Sequence, residues 1–139
     1  MGKVIVKVKL ENGADLVRAA DGIIAPEQVR RCEVDALADT GASMMCLPEE
    51  VVQQLGLEVY ETRPVRLANG ERHNADLARP LYIRIGDRGA DQECVVLPRG
   101  TQALIGQVVL EAMDLVVNCG EKCLAPGHPE AGGPVYDLL

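Results

Sequence analysis

The chain has no phenylalanine and no tryptophan, and only three tyrosines among 139 residues. Its core must therefore be filled by aliphatic side chains. They are plentiful: 47% of residues are hydrophobic, which excludes a disordered chain. The repeated use of Val leans that core towards strands. Long apolar runs are missing, and nothing approaches the roughly 20 residues a membrane helix needs. The opening Met1-Gly2-Lys3-Val4-Ile5-Val6-Lys7 has no apolar leader region. Val6 stands where a myristoylated terminus wants Ser or Thr. The expectation is a soluble, cytoplasmic protein with no membrane partner. Basic residues are in deficit, 14 against 21 acidic for a net charge of −7, which argues against the basic face of a nucleic-acid binder. The cysteines, at positions 32, 46, 94, 119 and 123, are odd in number and follow no secretion signal, so they read as free thiols.

What is present is a succession of short strand patterns, and 139 residues make one domain. Lys3 to Leu10 alternates as a half-exposed strand, and Asn12-Gly13 predicts a hairpin turn into a second strand over Asp15–Ala19. Arg30–Ala38 is a strand, and Met44–Leu47 another. Pro48–Leu55 is the clearest helix, with Pro at its start, Glu49 and Glu50 at the positive end of its dipole, and Gly56 as the stop. Val59–Leu67 and Leu77–Ile85 read as strands around a hairpin tip at Asn69-Gly70. Asp87-Arg88-Gly89 reads as a turn, and Glu93–Leu97 as a strand stopped by Pro98. Ala103–Gly106 is a buried strand, Gln107–Met113 a short helix, and Leu115–Asn118 a strand. A turn at Cys119–Cys123 leads to a last strand from Leu124. The chain is thus expected to be mainly β, a closed or sandwiched sheet with two short helices, over residues 1–125. Residues 126–139, rich in Pro and Gly, read as a flexible tail.

The stretch that carries chemistry is Leu37-Ala38-Asp39-Thr40-Gly41-Ala42-Ser43, a carboxylate on a tight turn entered from an apolar strand. Asp39 could merely cap local N–H groups in an Asx-turn. Metal-free peptide hydrolysis, however, needs a base to deprotonate water and an acid to protonate the carbonyl. Two carboxylates sharing one proton supply both, because like charges a few ångströms apart cannot both ionise. Thr40 is placed to hydrogen-bond across such a pair, and Gly41 lets backbone N–H groups approach the carboxylate. The chain holds no second Asp-Ser/Thr-Gly: Asp21-Gly22 lacks the hydroxyl residue, and Asp87-Arg88-Gly89 puts a cation there. Any such pair must come from two chains, one Asp39 from each, across an isologous interface.

Asp39-Thr40-Gly41-Ala42-Ser43, followed by a hairpin over Pro64–Pro80, then Leu104-Ile105-Gly106, a helix over Gln107–Met113 and a closing strand at Leu115–Asn118, resembles the retropepsin-like aspartic proteases over roughly Arg30 to Leu124. The resemblance implies an acid-protease-like closed barrel of short strands, one half of a two-fold homodimer. It implies an aspartic endopeptidase acting on a peptide or protein substrate, with catalysis by Asp39, Thr40 and Gly41. Substrate contacts would come from Ala42, Ser43 and the flap residues Ala68, Asn69 and Gly70. Leu104, Ile105 and Gly106 would support the site, and no metal or organic cofactor would be needed. The helix Pro48–Leu55 departs from the compact viral enzymes but is common in cellular relatives. The flap tip carries Glu71, Arg72, His73 and Asn74 in place of a Gly-rich run. Ala42 replaces the Ser or Thr of many aspartic proteases, which predicts a pH optimum nearer neutral. The alternative is a catalytically silent retropepsin-fold module that dimerises or binds peptides. Cys119 and Cys123 with His128 nearby have only loose zinc-ligand spacing and read as thiols at a hairpin end. Cys32, Cys46 and Cys94 read as core, and Val135–Leu139 as an apolar end that could dock in a cleft or trail free.

Overall fold

The computed structural model describes residues 3–67 and 69–135. Its strands are β1 (Ile5–Asn12), β2 (Arg31–Ala38), β3 (Met45–Pro48), β4 (Glu58–Arg66), β5 (Arg72–Ile85), β6 (Arg88–Leu97), β7 (Ala103–Ile105), β8 (Leu115–Asn118) and β9 (Cys123–Pro126). Three short helices, α1 (Gly13–Ala20), α2 (Glu49–Leu55) and α3 (Gln107–Ala112), lie between them. The large sheet runs β1-β2-β7-β3-β6-β5-β4, and β1 also pairs with β5. Six strands therefore close into a barrel, with β4 carried outside on β5, and β8 and β9 form a separate two-stranded ribbon. The mainly-β closed barrel expected from the sequence is the fold observed.

The barrel is filled by aliphatic side chains. Val8, Leu10, Met45, Leu47, Leu55, Leu81, Ile83, Ile105, Val109, Leu110 and Met113 are buried in one cluster. The amphipathic face of α2 contributes Val51, Val52 and Leu55, and Gly56 stops the helix in the left-handed conformation at φ 64°.

Three local expectations are corrected. Asn12-Gly13 makes no hairpin, and Asp15–Ala19 is not a strand but lies within α1. The buried Asn12 caps that helix: its Oδ1 accepts from the Asp15 N–H at 3.0 Å, while its Nδ2 donates to the Leu55 carbonyl at 2.9 Å. The turn between β5 and β6 sits at Gly86-Asp87, so Arg88 opens β6 instead of turning the chain. Its buried guanidinium donates to the carbonyls of Met113 and Asp114 at 2.7 and 2.6 Å. Finally, β5 begins at Arg72, so His73, Asn74 and Asp76, placed in a loop by sequence, are strand residues paired with β4.

Asp15 fixes α1 to the start of β2. Its carboxylate accepts from the Arg30 backbone N–H at 3.0 Å and from the Arg30 guanidinium at 2.8 and 3.0 Å. The Arg30 hydrogen bonds outweigh burial and hold the Asp15 carboxyl at about 2, against an ordinary 3.8. A carboxyl whose folded pKa lies below its unfolded one stabilises the fold above the unfolded value, and loses that contribution as pH falls through about 3.8 towards 2. Asp15→Asn should lower stability at pH 7 by about 1–3 kcal/mol. The deficit should shrink to near zero at pH 2, as read from denaturant midpoints at the two pH values.

Beyond β9 the chain to Val135 is tied to Asp114, between α3 and β8. The Asp114 carbonyl accepts from the Gly127 N–H at 2.8 Å. Its carboxylate meets His128 Nδ1 at 2.9 Å and accepts from the Val135 N–H at 3.0 Å. The His128 contact, opposed by burial, holds the Asp114 carboxyl below the usual range.

Candidate active site

The Asp39 loop hangs between two strands that share a third. β7 pairs parallel with β2 (Leu37 opposite Leu104, Ala38 opposite Ile105) and antiparallel with β3 (Cys46 opposite Leu104). β2 delivers the loop and β3 receives it, so β7 runs directly beneath it. The Asp39 N–H donates to the Ile105 carbonyl at 2.9 Å. Past β7, the Gln107 and Val108 N–H groups at the start of α3 donate to the carbonyls of Ala42 and Ser43 at 2.8 and 3.0 Å. Gly106 makes this closeness possible. Its φ is an ordinary −85°, but a Cβ there would collide with the backbone of Ser43 and Met44.

Within the loop, the Asp39 carboxylate accepts from the Gly41 N–H at 2.9 Å, and the Asp39 carbonyl accepts from the Ala42 N–H at 3.1 Å. Asp39 is half-buried, and Thr40, Gly41 and Ser43 are exposed. The Thr40 hydroxyl has no hydrogen bond among the described residues. No group of three or more His, Cys, Asp or Glu side chains able to hold a metal occurs among the described residues. A single carboxylate presented in this way can be a base when ionised or an acid when protonated, not both at once.

The structure therefore brings Asp39, Thr40, Gly41, Ala42 and Ser43 together with Leu104, Ile105 and Gly106. The expected flap residues stand apart, at the tip of the β4–β5 hairpin. There Leu67 and Glu71 close the turn with a hydrogen bond of 2.8 Å, and Gly70 takes the left-handed conformation at φ 86°. Asn69 Oδ1 accepts from the Glu71 N–H at 2.9 Å. Ala68 lies outside the described residues. His73 is exposed and meets Glu71 at 3.2 Å.

The base of that hairpin connects to the Asp39 loop through apolar side chains that sequence reading passed over. Cys46, Leu77 and Val95 form a second buried cluster, with Met44, Tyr60, Ala75, Leu97 and Leu104 packed around it. The period-2 pattern of β3 carries the signal: Met45 and Leu47 enter the barrel core, while Met44 and Cys46 face the other side. Burial, and then the nearby charge of Asp39, push the Cys46 thiol up to about 11. Cys94, buried in the barrel, is pushed up to about 12, mainly by desolvation. Because the thiolate is the reactive form, an aromatic disulfide reagent at pH 7.5 should label the exposed Cys119 first. Cys46 and Cys94 should react only on unfolding, as seen by peptide mapping after timed quenching.

No helix among the described residues is long and apolar enough to cross a membrane. No curated protein matches the chain. The model of one family, described as gag-polyprotein putative aspartyl protease, matches residues 25–112, from ahead of β2 to the end of α3. The match takes in the whole Asp39 loop, the hairpin, β7 and α3, and covers well over half of the sequence; the chain belongs to this retropepsin-like family of aspartyl proteases.

Proposed function

We propose that the protein is a homodimeric aspartic endopeptidase whose catalytic pair is one Asp39 from each subunit. The observation that carries this reading is the Asp39 loop itself: a lone Asp-Thr-Gly carboxylate, pinned by β7 and α3, in a family of aspartyl proteases. Half a site argues for two copies. The ionised Asp39 of one subunit takes a proton from water, and the water oxygen bonds to the peptide carbonyl carbon. The protonated Asp39 of the other gives its proton to the carbonyl oxygen. Collapse of the tetrahedral species breaks the C–N bond, with a proton delivered to the leaving nitrogen, and no covalent enzyme intermediate forms. Thr40 and Gly41 would hold the pair. Ala42 and Ser43 would contact substrate from below, and Ala68, Asn69 and Gly70 of the hairpin would close over an extended peptide. The reaction as written needs no metal or organic cofactor, and a cytoplasmic location suits an enzyme with free thiols.

The test is cleavage of a peptide library by the wild type and by Asp39→Asn, with the mass of each in solution measured in parallel. Cleavage by the wild type, lost in a variant that is still dimeric, supports the proposal. A wild-type dimer that cleaves nothing between pH 3 and 8 would overturn it in favour of a silent peptide-binding module. Ala42 leaves the dyad without a hydroxyl that could stabilise its ionised form, so the pH–rate profile should peak nearer neutral than pH 4.

A further inference from the structure

The chain beyond β9 is fastened to the rest of the molecule at one residue. The Gly127 N–H meets the Asp114 carbonyl, while the His128 ring and the Val135 N–H meet the Asp114 carboxylate. Side chains contribute little else to holding this segment. Pro129, Glu130, Ala131, Gly132 and Pro134 are exposed, Val135 is 38% exposed, and no residue from 127 to 135 is buried. The segment therefore lacks the apolar burial that fixes most of a fold. A segment held mainly by a few polar bonds opens locally at low cost.

Asp114 is matched to the same contact. It is 8% exposed, between α3 and β8, in a left-handed backbone conformation (φ 54°) that Asp and Asn accept more readily than most residues. Among the described residues, both hydrogen-bond partners of its buried carboxylate come from the segment. Gly127 lets the two stretches touch, since a Cβ there would collide with that carboxylate. Three other charged groups surround the pair. The Arg88 guanidinium, from β6, donates to the carbonyls of Met113 and Asp114 and stands 3.9 Å from the carboxylate. Asp87, on the β5–β6 turn, lines a groove together with His128. Glu130 belongs to the segment itself. Of these residue types, histidine is the one that ordinarily changes charge between about pH 5 and 8.

We propose that residues 127–135 are a pH-sensitive strap, closed on Asp114 by a protonated His128 and loosened when that proton leaves. The sign follows from the pair. A charged imidazole gives the carboxylate a charge-assisted bond, roughly twice as strong as the bond a neutral ring can give. The Asp114 carboxyl is held below the usual carboxylate range, so it is ionised throughout the interval in which the imidazole titrates. Closure is therefore favoured on the acid side of that titration and weakened on the alkaline side. What the strap governs is a groove of about 390 Å³. Gly132 and Gly133 of the strap line it on one side, Gly86 and Asp87 of the β5–β6 turn on another, and Leu115 and Leu124 of the β8–β9 ribbon also line it. Opening the strap removes one wall and bares the two leucines, which are half-buried when it is closed. The proposal does not depend on peptidase activity.

The experiment is amide hydrogen exchange on the full chain by NMR, read as protection factors, which remove the intrinsic pH dependence of exchange. The reporters are the Gly127 and Val135 N–H groups, with the β1 amides as the reference for global opening. In the wild type, protection of Val135 should fall about tenfold between about pH 5.5 and pH 8, the change expected when a charged hydrogen bond becomes a neutral one. His128→Gln keeps a neutral donor, so its protection should be independent of pH and equal to the wild-type value at pH 8. Asp114→Asn keeps an acceptor and suits the positive φ, but has no charge to pair. It should lower protection at pH 5.5 about tenfold and abolish the pH dependence. Wild-type protection that does not change with pH would overturn the proposal. So would a fall shared equally by the β1 amides, or a His128→Gln protein as well protected at pH 5.5 as the wild type. If Asp114→Asn fails to fold, the His128→Gln comparison decides alone.

Discussion

Asp39→Asn is expected to lower kcat at least about 10³-fold, because a neutral amide can neither take the proton from water nor share one with its partner. The loss should leave the fold nearly unchanged. Asn keeps an acceptor for the Gly41 N–H, now at 2.9 Å, and the bonds from Ile105 and to Ala42 belong to the backbone. A second experiment tells a shared site from two separate ones. When wild type and variant are mixed in equal amounts and allowed to exchange subunits, only wild-type pairs keep both carboxylates. Activity should fall to about one quarter of the undiluted value, against one half if each chain carried a complete site. The measurement is the initial rate on a quenched fluorescent peptide after incubation of the mixture. A residual rate of one half would put the second catalytic group inside the chain and remove the reason for an Asp39 pair.

The Asp39 loop could be read from sequence because its logic is local. A carboxylate, a hydroxyl and a glycine in order, entered from apolar Leu37 and Ala38, constrain one another within a few residues. The strands that hold it are equally plain, since Arg31–Ala38 alternates Arg31, Glu33 and Asp35 with Cys32, Val34 and Ala36 up to the Asp39 turn, and Ala103–Ile105 is a short apolar run that stops at Gly106. The sequence was silent where one local signal serves two structures. Asn12-Gly13 suits a hairpin tip and a helix cap alike. What decides is distant: Leu55 and Gly56 offer carbonyls to the Asn12 amide, and Arg30 waits for Asp15. The helix-forming Ala14, Leu16, Arg18, Ala19 and Ala20 of α1 were the signal available, and Val17 obscured it. In the same way, His73 and Asn74 looked like loop residues because they are polar. They are strand residues because β4 supplies a partner for each along an exposed hairpin, where polarity says nothing about backbone pairing. The cluster around Cys46 could not be placed, since which face of β3 looks towards the hairpin is settled only once the barrel closes.

Gly106 joins these two levels, and its substitution should have the second large effect. Sequence presents it as the end of a buried strand. The structure gives it another duty: it is the point where β7 passes under Ser43 and Met44 so closely that no side chain fits. Gly106→Ala must move one backbone away from the other, and neither is the far end of a flexible side chain. Three hydrogen bonds bridge this contact, from Asp39 to Ile105, Gln107 to Ala42 and Val108 to Ser43. Forcing in a methyl group should cost about 1–3 kcal/mol. For a domain of this size that corresponds to a fall in Tm of roughly 3–10 °C by calorimetry. The loop carries Asp39, so activity should fall further than stability does. At 25 °C, where most of the variant is still folded, kcat should drop about 10²-fold, in line with a displacement of about 1 Å at a reacting group. Val108→Ala is the control. It lies in the same helix but is 48% exposed, and it should leave both Tm and kcat close to wild type. Equal losses in the two variants would mean that α3 acts through its general stability. A loss confined to Gly106→Ala would assign the effect to the backbone crossing that aims Asp39.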